Sequence, residues 1–115
     1  MPAPFVHLRV HSAYSLAEST LRLKSIVALA GGDSQPAVAI TDTNNMFGAL
    51  EFSEKMRESG VQPIIGLECI IADSRGRGEV VLLAQSDAGY EALCRHNSRA
   101  LLEVEGGDDP VIQLE

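Results

Sequence analysis

The sequence predicts an α/β fold in which mainly parallel strands alternate with helices. Short apolar runs rich in β-branched residues are bounded by turn residues, as is typical of buried strands. Amphipathic helical patterns lie between these runs, and this alternation is typical of a parallel sheet covered by helices. The chain has 115 residues, 45% of them hydrophobic, which is enough for one modest core. We therefore treat residues 1–115 as a single domain segment.

Four stretches have the pattern of strands. They are residues 5–10, residues 37–41, residues 61–71 with an interruption at Gly66, and residues 79–84. Residues 73–78, where Arg and Gly alternate, predict a polar and mobile loop between the last two strands.

Three helices are predicted between and after these strands. Their apolar positions are Leu21, Leu23, Ile26, Val27 and Ala30 in the first, Phe47, Leu50 and Met56 in the second, and Tyr90, Leu93, Cys94, Ala100 and Leu101 in the third. Glycines follow as stop signals at 31–32, 60 and 106–107, and Ser86 with Asp87 predicts an N-terminal cap on the third helix.

The last residues predict a further, unfinished unit of the same kind. Residues 103–115 are acidic and contain glycine, which indicates an acidic tail or the start of an incomplete next unit, with a short strand at 111–114. A closed barrel of strand and helix units takes about 250 residues, so we expect a truncated portion of such a barrel. Open strand edges tend to pair with another copy, and we therefore expect a homo-oligomer or a domain-swapped dimer.

Charge and composition argue against a nucleic-acid-binding, secreted or membrane-spanning segment. The net charge is -7, with nine Lys and Arg against sixteen Asp and Glu, which argues against direct binding of this segment to nucleic-acid phosphates. Cys69 and Cys94 lack the spacing of a zinc knuckle or a disulfide framework, which indicates reduced thiols. The N-terminus has no secretory signal pattern and no apolar run is long enough for a membrane span. We expect a cytoplasmic protein with no membrane partner.

Candidate site residues lie at strand ends, where functional residues of α/β folds collect. His7, Arg9 and His11 alternate along the first strand and share one face. Two imidazoles separated by one residue, a His-x-His pair, can chelate a metal ion. Here Arg9 stands at the first position of such a pair, with His11 at the second, and a guanidinium has no lone pair to offer. Glu68 lies within an apolar strand, and a buried carboxylate needs a partner or a metal. We therefore expect Arg9 to pair with Asp42 or Glu68.

Each candidate also has a structural interpretation. His11 alone is more often a hydrogen-bonded structural histidine than a ligand, and this holds even more for His7. Asp42 lies at a strand end and is about equally suited to capping the next helix. His96, between Arg95 and Asn97 in the third helical pattern, is interpreted as a surface residue.

Three ordered blocks resemble a known family. The segments FVHLRVHSAYSL (5–16), AITDTNNMFGALEF (39–52) and QPIIGLE (62–68) strongly resemble the N-terminal polymerase and histidinol phosphatase (PHP) domain of bacterial DNA polymerase III alpha subunits. The resemblance continues through LLAQ (82–85) and GYEAL (89–93). It implies that the fold is the N-terminal portion of a PHP-type barrel.

The resemblance also implies a depleted metal site. Metal-binding members of the family hold up to three ions with a His-x-His pair, an Asp-His pair, a Glu after a Gly, and later ligands. Carried over position by position, the vestigial site consists of His7, His11, Asp42 and Glu68. The lost ligand positions are Arg9 in the His-x-His pair, Thr43 in the Asp-His pair, and Glu79 where a His begins the next strand.

The function implied by the resemblance belongs to a longer protein, a DNA-directed DNA polymerase that uses magnesium in chromosomal replication. For this segment we expect a non-catalytic structural and protein-docking module without a cofactor of its own, with residual zinc or manganese binding left open. The implied partners are a proofreading exonuclease subunit and other replicase subunits, with DNA bound through the parent chain. The alternative is a metal-dependent phosphoesterase or 3'-5' exonuclease of the PHP family. A stand-alone binding module would leave the three ordered blocks unexplained.

Overall fold

Strands and helices alternate along the chain in the computed structural model, which describes residues 5–15, 19, 21–104 and 108–114. The elements are α1 (Leu23–Gly32), β1 (Ala37–Ile40), α2 (Ala49–Glu58), β2 (Gln62–Asp73), β3 (Gly76–Leu83), α3 (Asp87–Glu103) and β4 (Val111–Gln113). This order confirms the predicted α/β fold class. None of the helices in the described ranges combines the length and the apolar character needed to cross a membrane.

β2 is the central strand of a mixed sheet. β1 pairs with it in parallel from Ala37 opposite Gln62 to Ile40 opposite Ile65, and β4 pairs in parallel with its far end. β3 pairs with it antiparallel over its last eight residues. The sheet is therefore less parallel than the sequence predicts, because one hairpin reverses the chain direction.

The predicted loop at residues 73–78 is wrong. β2 continues to Asp73 and β3 begins at Gly76, so Ser74 and Arg75 alone form the turn. The Asp73 carboxylate accepts from the Arg75 amide (2.7 Å), and Gly76 takes a φ of 138° that favours glycine. Local turn chemistry thus closes a tight hairpin where composition alone predicts an open loop.

β2 also runs through Gly66 without the predicted interruption. A Cβ atom at Gly66 would lie 2.6 Å from the Leu82 carbonyl oxygen and 2.9 Å from Thr41 Cγ2. Glycine therefore lets the neighbouring chains approach the centre of β2 closely, and it does so two residues before Glu68.

The helices bury two apolar clusters against the sheet. The first lies between α1, α2 and β1, with Leu23, Ile26, Ala30, Val38, Ile40, Phe52, Met56 and Val61 as its buried members. The second lies between β2, β4 and α3, with Leu67, Cys69, Ala100 and Ile112. Together the two clusters pack the three helices against the sheet.

The apolar face predicted for the second helix is wrong at Phe47 and Leu50 and confirmed at Met56. Phe47 and Leu50 are 68% and 69% exposed, whereas Phe52 and Met56 are completely buried. Because α2 begins at Ala49, its inward stripe is set by Ala49, Phe52 and Met56, which follow helical spacing.

α3 begins as the sequence predicts. The Ser86 hydroxyl accepts from the Gly89 amide (3.1 Å) and caps the helix. The helix ends at Glu103, and the predicted glycine stop at 106–107 lies outside the described residues. The predicted strand at the end of the chain is present as β4, where the Leu114 amide donates to the Ala72 carbonyl (2.9 Å).

Residues 5–15, called here the N-terminal segment, run beside β1 but do not form the predicted regular strand. An isolated parallel bridge joins His7 to β1. The Ala39 amide donates to the His7 carbonyl (2.8 Å). The Thr41 amide donates to the Val10 carbonyl (2.8 Å). Because this ladder is so short, side-chain contacts carry much of the attachment of the segment.

The exposed edge of β3 predicts self-association of the chain. Seven of its eight residues are exposed, and no strand of the described ranges pairs with its outer edge. We expect size-exclusion chromatography with light scattering to show a dimer or larger species at high concentration. Leu82→Lys places a charge on this strand and should shift the chain towards monomer, whereas Leu29→Lys, at an exposed position of α1, should not. A compact wild-type monomer at high concentration would contradict this expectation.

Candidate functional site

Glu68 lies at the centre of a polar cluster built from three chain segments. Its side chain is only 11% exposed, on β2. Arg9 Nε donates to Glu68 Oε1, and His11 Nε2 lies 3.0 Å from Glu68 Oε2. Thr43 Oγ1 donates to the same Oε2 (3.4 Å). The expected pairing of Arg9 with a carboxylate is therefore present, and its partner is Glu68 and not Asp42.

Backbone pairing explains why these side chains meet. The chain leaving β1 continues level with β2, so that the Glu68 amide donates to the Asp42 carbonyl (3.1 Å) and the Asn44 amide donates to the Glu68 carbonyl (2.8 Å). An isolated parallel bridge places Thr43 opposite Glu68. The N-terminal segment then brings Arg9 and His11, two residues apart, to the same carboxylate.

The electrostatics of the cluster favour an ionised Glu68. The hydrogen bond from Arg9 lowers the pKa of Glu68, against the opposing effect of burial. The charges of His11 and Arg9 and the hydrogen bond from Thr43 lower this pKa further. Glu68 is thus a carboxylate whose counter-charge is supplied from within the chain.

Asp42 has a different environment, although it lies close in sequence to Thr43. It is 2% exposed, and its Oδ1 accepts from the Ser12 amide (2.6 Å) and from Ser15 Oγ (2.7 Å). Its Oδ2 accepts from Ser12 Oγ (2.7 Å). Asp42 does not cap α2, which follows Gly48 without a side-chain cap. Both carboxylate oxygens instead hold the turn at residues 12–15.

Three asparagines, Asn44, Asn45 and Asn97, stabilise the loop after Asp42, and the sequence reasoning did not assign them this role. Asn44 takes a left-handed φ of 60°, and its carbonyl accepts from Asn97 Nδ2 of α3 (2.9 Å). Asn45 Nδ2 donates to the Tyr14 carbonyl (2.9 Å). The available signals were an Asn pair directly after a strand, a residue type that tolerates left-handed backbone, and an Asn within a helix at a buried position.

The other candidates lie apart from the cluster. His7 is exposed and meets the Phe5 ring edge-on, with centroids 4.7 Å apart. Glu79 is exposed on β3, and His96 is exposed on α3 as expected. Cys69 is a buried free thiol whose pKa is raised by burial, so it packs as a small apolar side chain.

The described residues do not fit the multinuclear metal site of the family's metal-binding members. Within the part of the chain that the structure describes, no group of three or more His, Cys, Asp or Glu side chains is arranged to hold an ion. A metal ligand must present a lone pair to the ion, and the oxygens of Glu68 and Asp42 are engaged by donors of the chain itself.

A family model described as PHP domain matches residues 7–115. The match includes every member of the Glu68 cluster and the Asp42 network.

Several curated relatives are polymerases. The chain is 40% identical over 116 residues to DNA polymerase III subunit alpha of Caulobacter vibrioides, covering 94% of this chain and 10% of that protein. It is 34% identical over 118 residues to the same subunit of Pseudomonas fluorescens, covering 100% of this chain and 10% of that protein. An error-prone DNA polymerase of Symbiobacterium thermophilum is 42% identical over 91 residues, covering 79% of this chain and 8% of that protein. The chain thus spans about a tenth of the length of these relatives.

Solved structures share the fold. An amidohydrolase from Chromobacterium violaceum, described with bound sulfate and no metal, superposes with a TM-score of 0.65 at 20% identity, covering 83% of this chain and 32% of that one. A protein of Bifidobacterium adolescentis described as a metal-dependent phosphoesterase gives a TM-score of 0.56 at 18% identity, covering 88% of this chain and 36% of that one. At these identities the likeness extends to the fold alone.

The lowered pKa of Glu68 predicts a loss of stability in acid. A carboxyl whose pKa is lower in the folded than in the unfolded chain stabilises the fold above its ordinary pKa of 4.5. This contribution is lost as the pH falls from 4.5 through the lower folded value. Urea unfolding from pH 6 downwards should show it, and Glu68→Gln should remove that part of the pH dependence. Glu54→Gln, at an exposed position on α2, is the matched control. Parallel acid profiles for wild type and Glu68→Gln would refute the assignment.

Proposed function

This chain belongs to the PHP domain family, and from that premise we propose that it is the PHP portion of a DNA polymerase III alpha subunit, acting there as a non-catalytic structural and protein-docking module. The observation that carries the proposal is the engagement of both candidate carboxylates by groups of the chain itself. Glu68 is paired with Arg9, and Asp42 accepts from Ser12 and Ser15.

The chemistry of the cluster supports a lack of hydrolytic activity. Metal-assisted hydrolysis needs an ion with an open position for water or substrate. The guanidinium of Arg9 places a fixed positive charge at the oxygen of Glu68 that an ion would need, and it repels a second cation. Thr43 offers a hydroxyl that already donates to Glu68. Phosphoester hydrolysis is therefore not the role proposed for this segment.

The polymerase activity is proposed for the longer protein. The alpha-subunit relatives are about ten times the length of this chain, and nucleotide addition with magnesium is assigned in this proposal to the remainder of the longer protein. The net charge of -7 favours contact with protein over contact with DNA. A proofreading exonuclease subunit and other replicase subunits are the proposed partners, in the cytoplasm.

A second candidate function is a metal-dependent phosphoesterase or 3'-5' exonuclease. Two observations favour it. His11 and Glu68 retain ligand residue types and lie 3.0 Å apart, and a solved structure of the same fold is described as a metal-dependent phosphoesterase. This function would require zinc or manganese to displace the Arg9 guanidinium from Glu68.

Metal titration separates the two candidates. We expect calorimetry to show no tight binding of zinc or manganese to the wild-type chain. The variant Arg9→His/Thr43→His adds two imidazoles beside His11 and Glu68. Since even the outer partners of metal ligands change affinity about 10- to 100-fold, the variant should bind zinc at least roughly tenfold more tightly. Arg9→Gln/Thr43→Val, which adds no ligand, should not. Tight wild-type binding together with metal-dependent hydrolysis of a phosphodiester would favour the phosphoesterase.

Primer extension tests the polymerase part of the proposal. The longer protein that carries this segment should extend a primer across a gapped template with magnesium and four deoxynucleoside triphosphates, and chelation should stop the reaction. A matched reaction without one nucleotide should stall at the corresponding template base. A protein that hydrolyses phosphoesters or DNA ends without extending the primer would contradict the proposal.

A further inference from the structure

The N-terminal segment is attached to the sheet mainly through side chains. Among the described residues, its backbone contacts with β1 and the chain leaving it include an isolated bridge at His7 and hydrogen bonds from the amides of Ala39 and Thr41. Beyond these, Arg9 and His11 meet Glu68, which lies 59 residues after Arg9 in the sequence. The fastening of this segment therefore depends on a long-range polar contact.

The burial of the two partners is unequal. The Glu68 side chain is 11% exposed, whereas that of Arg9 is 64% exposed. A carboxylate this deeply buried is costly without a counter-charge, and removing its partner leaves an uncompensated charge. The guanidinium supplies the counter-charge to the buried carboxylate and also joins the N-terminal segment to β2.

A metal ion in such a place would draw together donors from different strands. Here the positive charge is covalently part of the segment that has to be held. Resting on the proposed metal-free function, we propose that Arg9 is a built-in cation that fastens residues 5–11 of the N-terminal segment to β1 and β2 in place of an exchangeable ion. Arg9 is thus a positioning residue that acts on the backbone through Glu68.

The fastening by Arg9 is separate from the fastening of the turn that follows it. Residues 12–15 are held by Asp42, which accepts from the Ser12 amide and from the hydroxyls of Ser12 and Ser15. None of these three contacts involves Arg9 or Glu68. Loss of the Arg9 contact should therefore loosen residues 5–11 while the turn stays attached.

Backbone amides report on the two attachments independently. The amides of Ala39 and Thr41 donate to the N-terminal segment, whereas the Ser12 amide donates to Asp42. Hydrogen exchange of these three amides in the full 115-residue chain can be compared between wild type and Arg9→Gln, which keeps a polar side chain but removes the charge. We expect exchange at Ala39 and Thr41 to accelerate by about tenfold, with Ser12 nearly unchanged.

A double-mutant comparison of Arg9 and Glu68 tests whether Arg9 acts through the Glu68 carboxylate. If Arg9 stabilised the segment in some other way, the two substitutions would not depend on each other. Glu68→Gln should accelerate the same two amides, and the double variant should accelerate them no further than either single change. Arg9→Lys should restore part of the protection because it restores the charge. Arg22→Gln, at an exposed arginine before α1, is the matched control and should leave all three amides unchanged. Additive effects of the Arg9 and Glu68 changes would overturn the proposal.

The remaining outcomes are equally decisive. Unchanged exchange in Arg9→Gln, or equal acceleration at Ser12, would overturn the localised role of Arg9. If Arg9→Gln does not fold, the wild-type chain decides, because raising salt from about 0.05 to 0.5 M should screen the half-exposed pair and accelerate Ala39 and Thr41 selectively. Insensitivity to salt would then overturn it. Zinc that protects the wild-type amides would contradict the metal-free function and leave the coupling between Arg9 and Glu68 as the test of this inference.

Discussion

A buried carboxylate on the central strand is the constraint around which the rest of this structure is arranged. Glu68 lies where β2 is bordered by β3 on one side and by the chain leaving β1 on the other. Gly66 makes this possible, because a side chain two residues earlier would collide with Leu82 and Thr41. The backbone of Glu68 is paired on both sides, and its side chain is only 11% exposed. The counter-charge is supplied by Arg9 of the N-terminal segment, which pairs with the Glu68 carboxylate.

The two acidic residues of the site meet the cost of burial by different means. Glu68 is balanced by the charge of Arg9, with His11 and Thr43 on its second oxygen. Asp42 is balanced by three hydrogen bonds from one short turn and has no cation beside it in the described contacts. The first solution joins distant segments, whereas the second shapes a local loop against the end of β1. In both, the oxygens that could bind an ion serve the fold.

The sequence was informative where the determining contacts are local or chemical. The Ser86 cap and the β1 run could be predicted because both patterns are contained in a few neighbouring residues. The pairing of Arg9 with a carboxylate followed from chemistry, since a guanidinium beside a buried acid has little alternative. The sequence did not predict whether Arg9 pairs with Asp42 or with Glu68. Asp42 is engaged instead by serines about 30 residues away in the sequence, and such a distant contact leaves no local pattern. The exposed Phe47 shows the same limit, since apolar spacing does not reveal where a helix begins.

Similarity of fold and difference in chemistry are compatible here because they depend on different atoms. The fold shared with solved structures at 18 to 20% identity depends on backbone pairing and on two apolar clusters. Metal chemistry depends on lone pairs at a few side-chain ends, and an imidazole replaced by a guanidinium turns a donor of electrons into a fixed cation. The guanidinium at position 9 is balanced in this structure by the buried carboxylate of Glu68. Glu68 accepts from Arg9 and its backbone pairs with the chain leaving β1, so this residue contributes to the fold through contacts that need no metal ion.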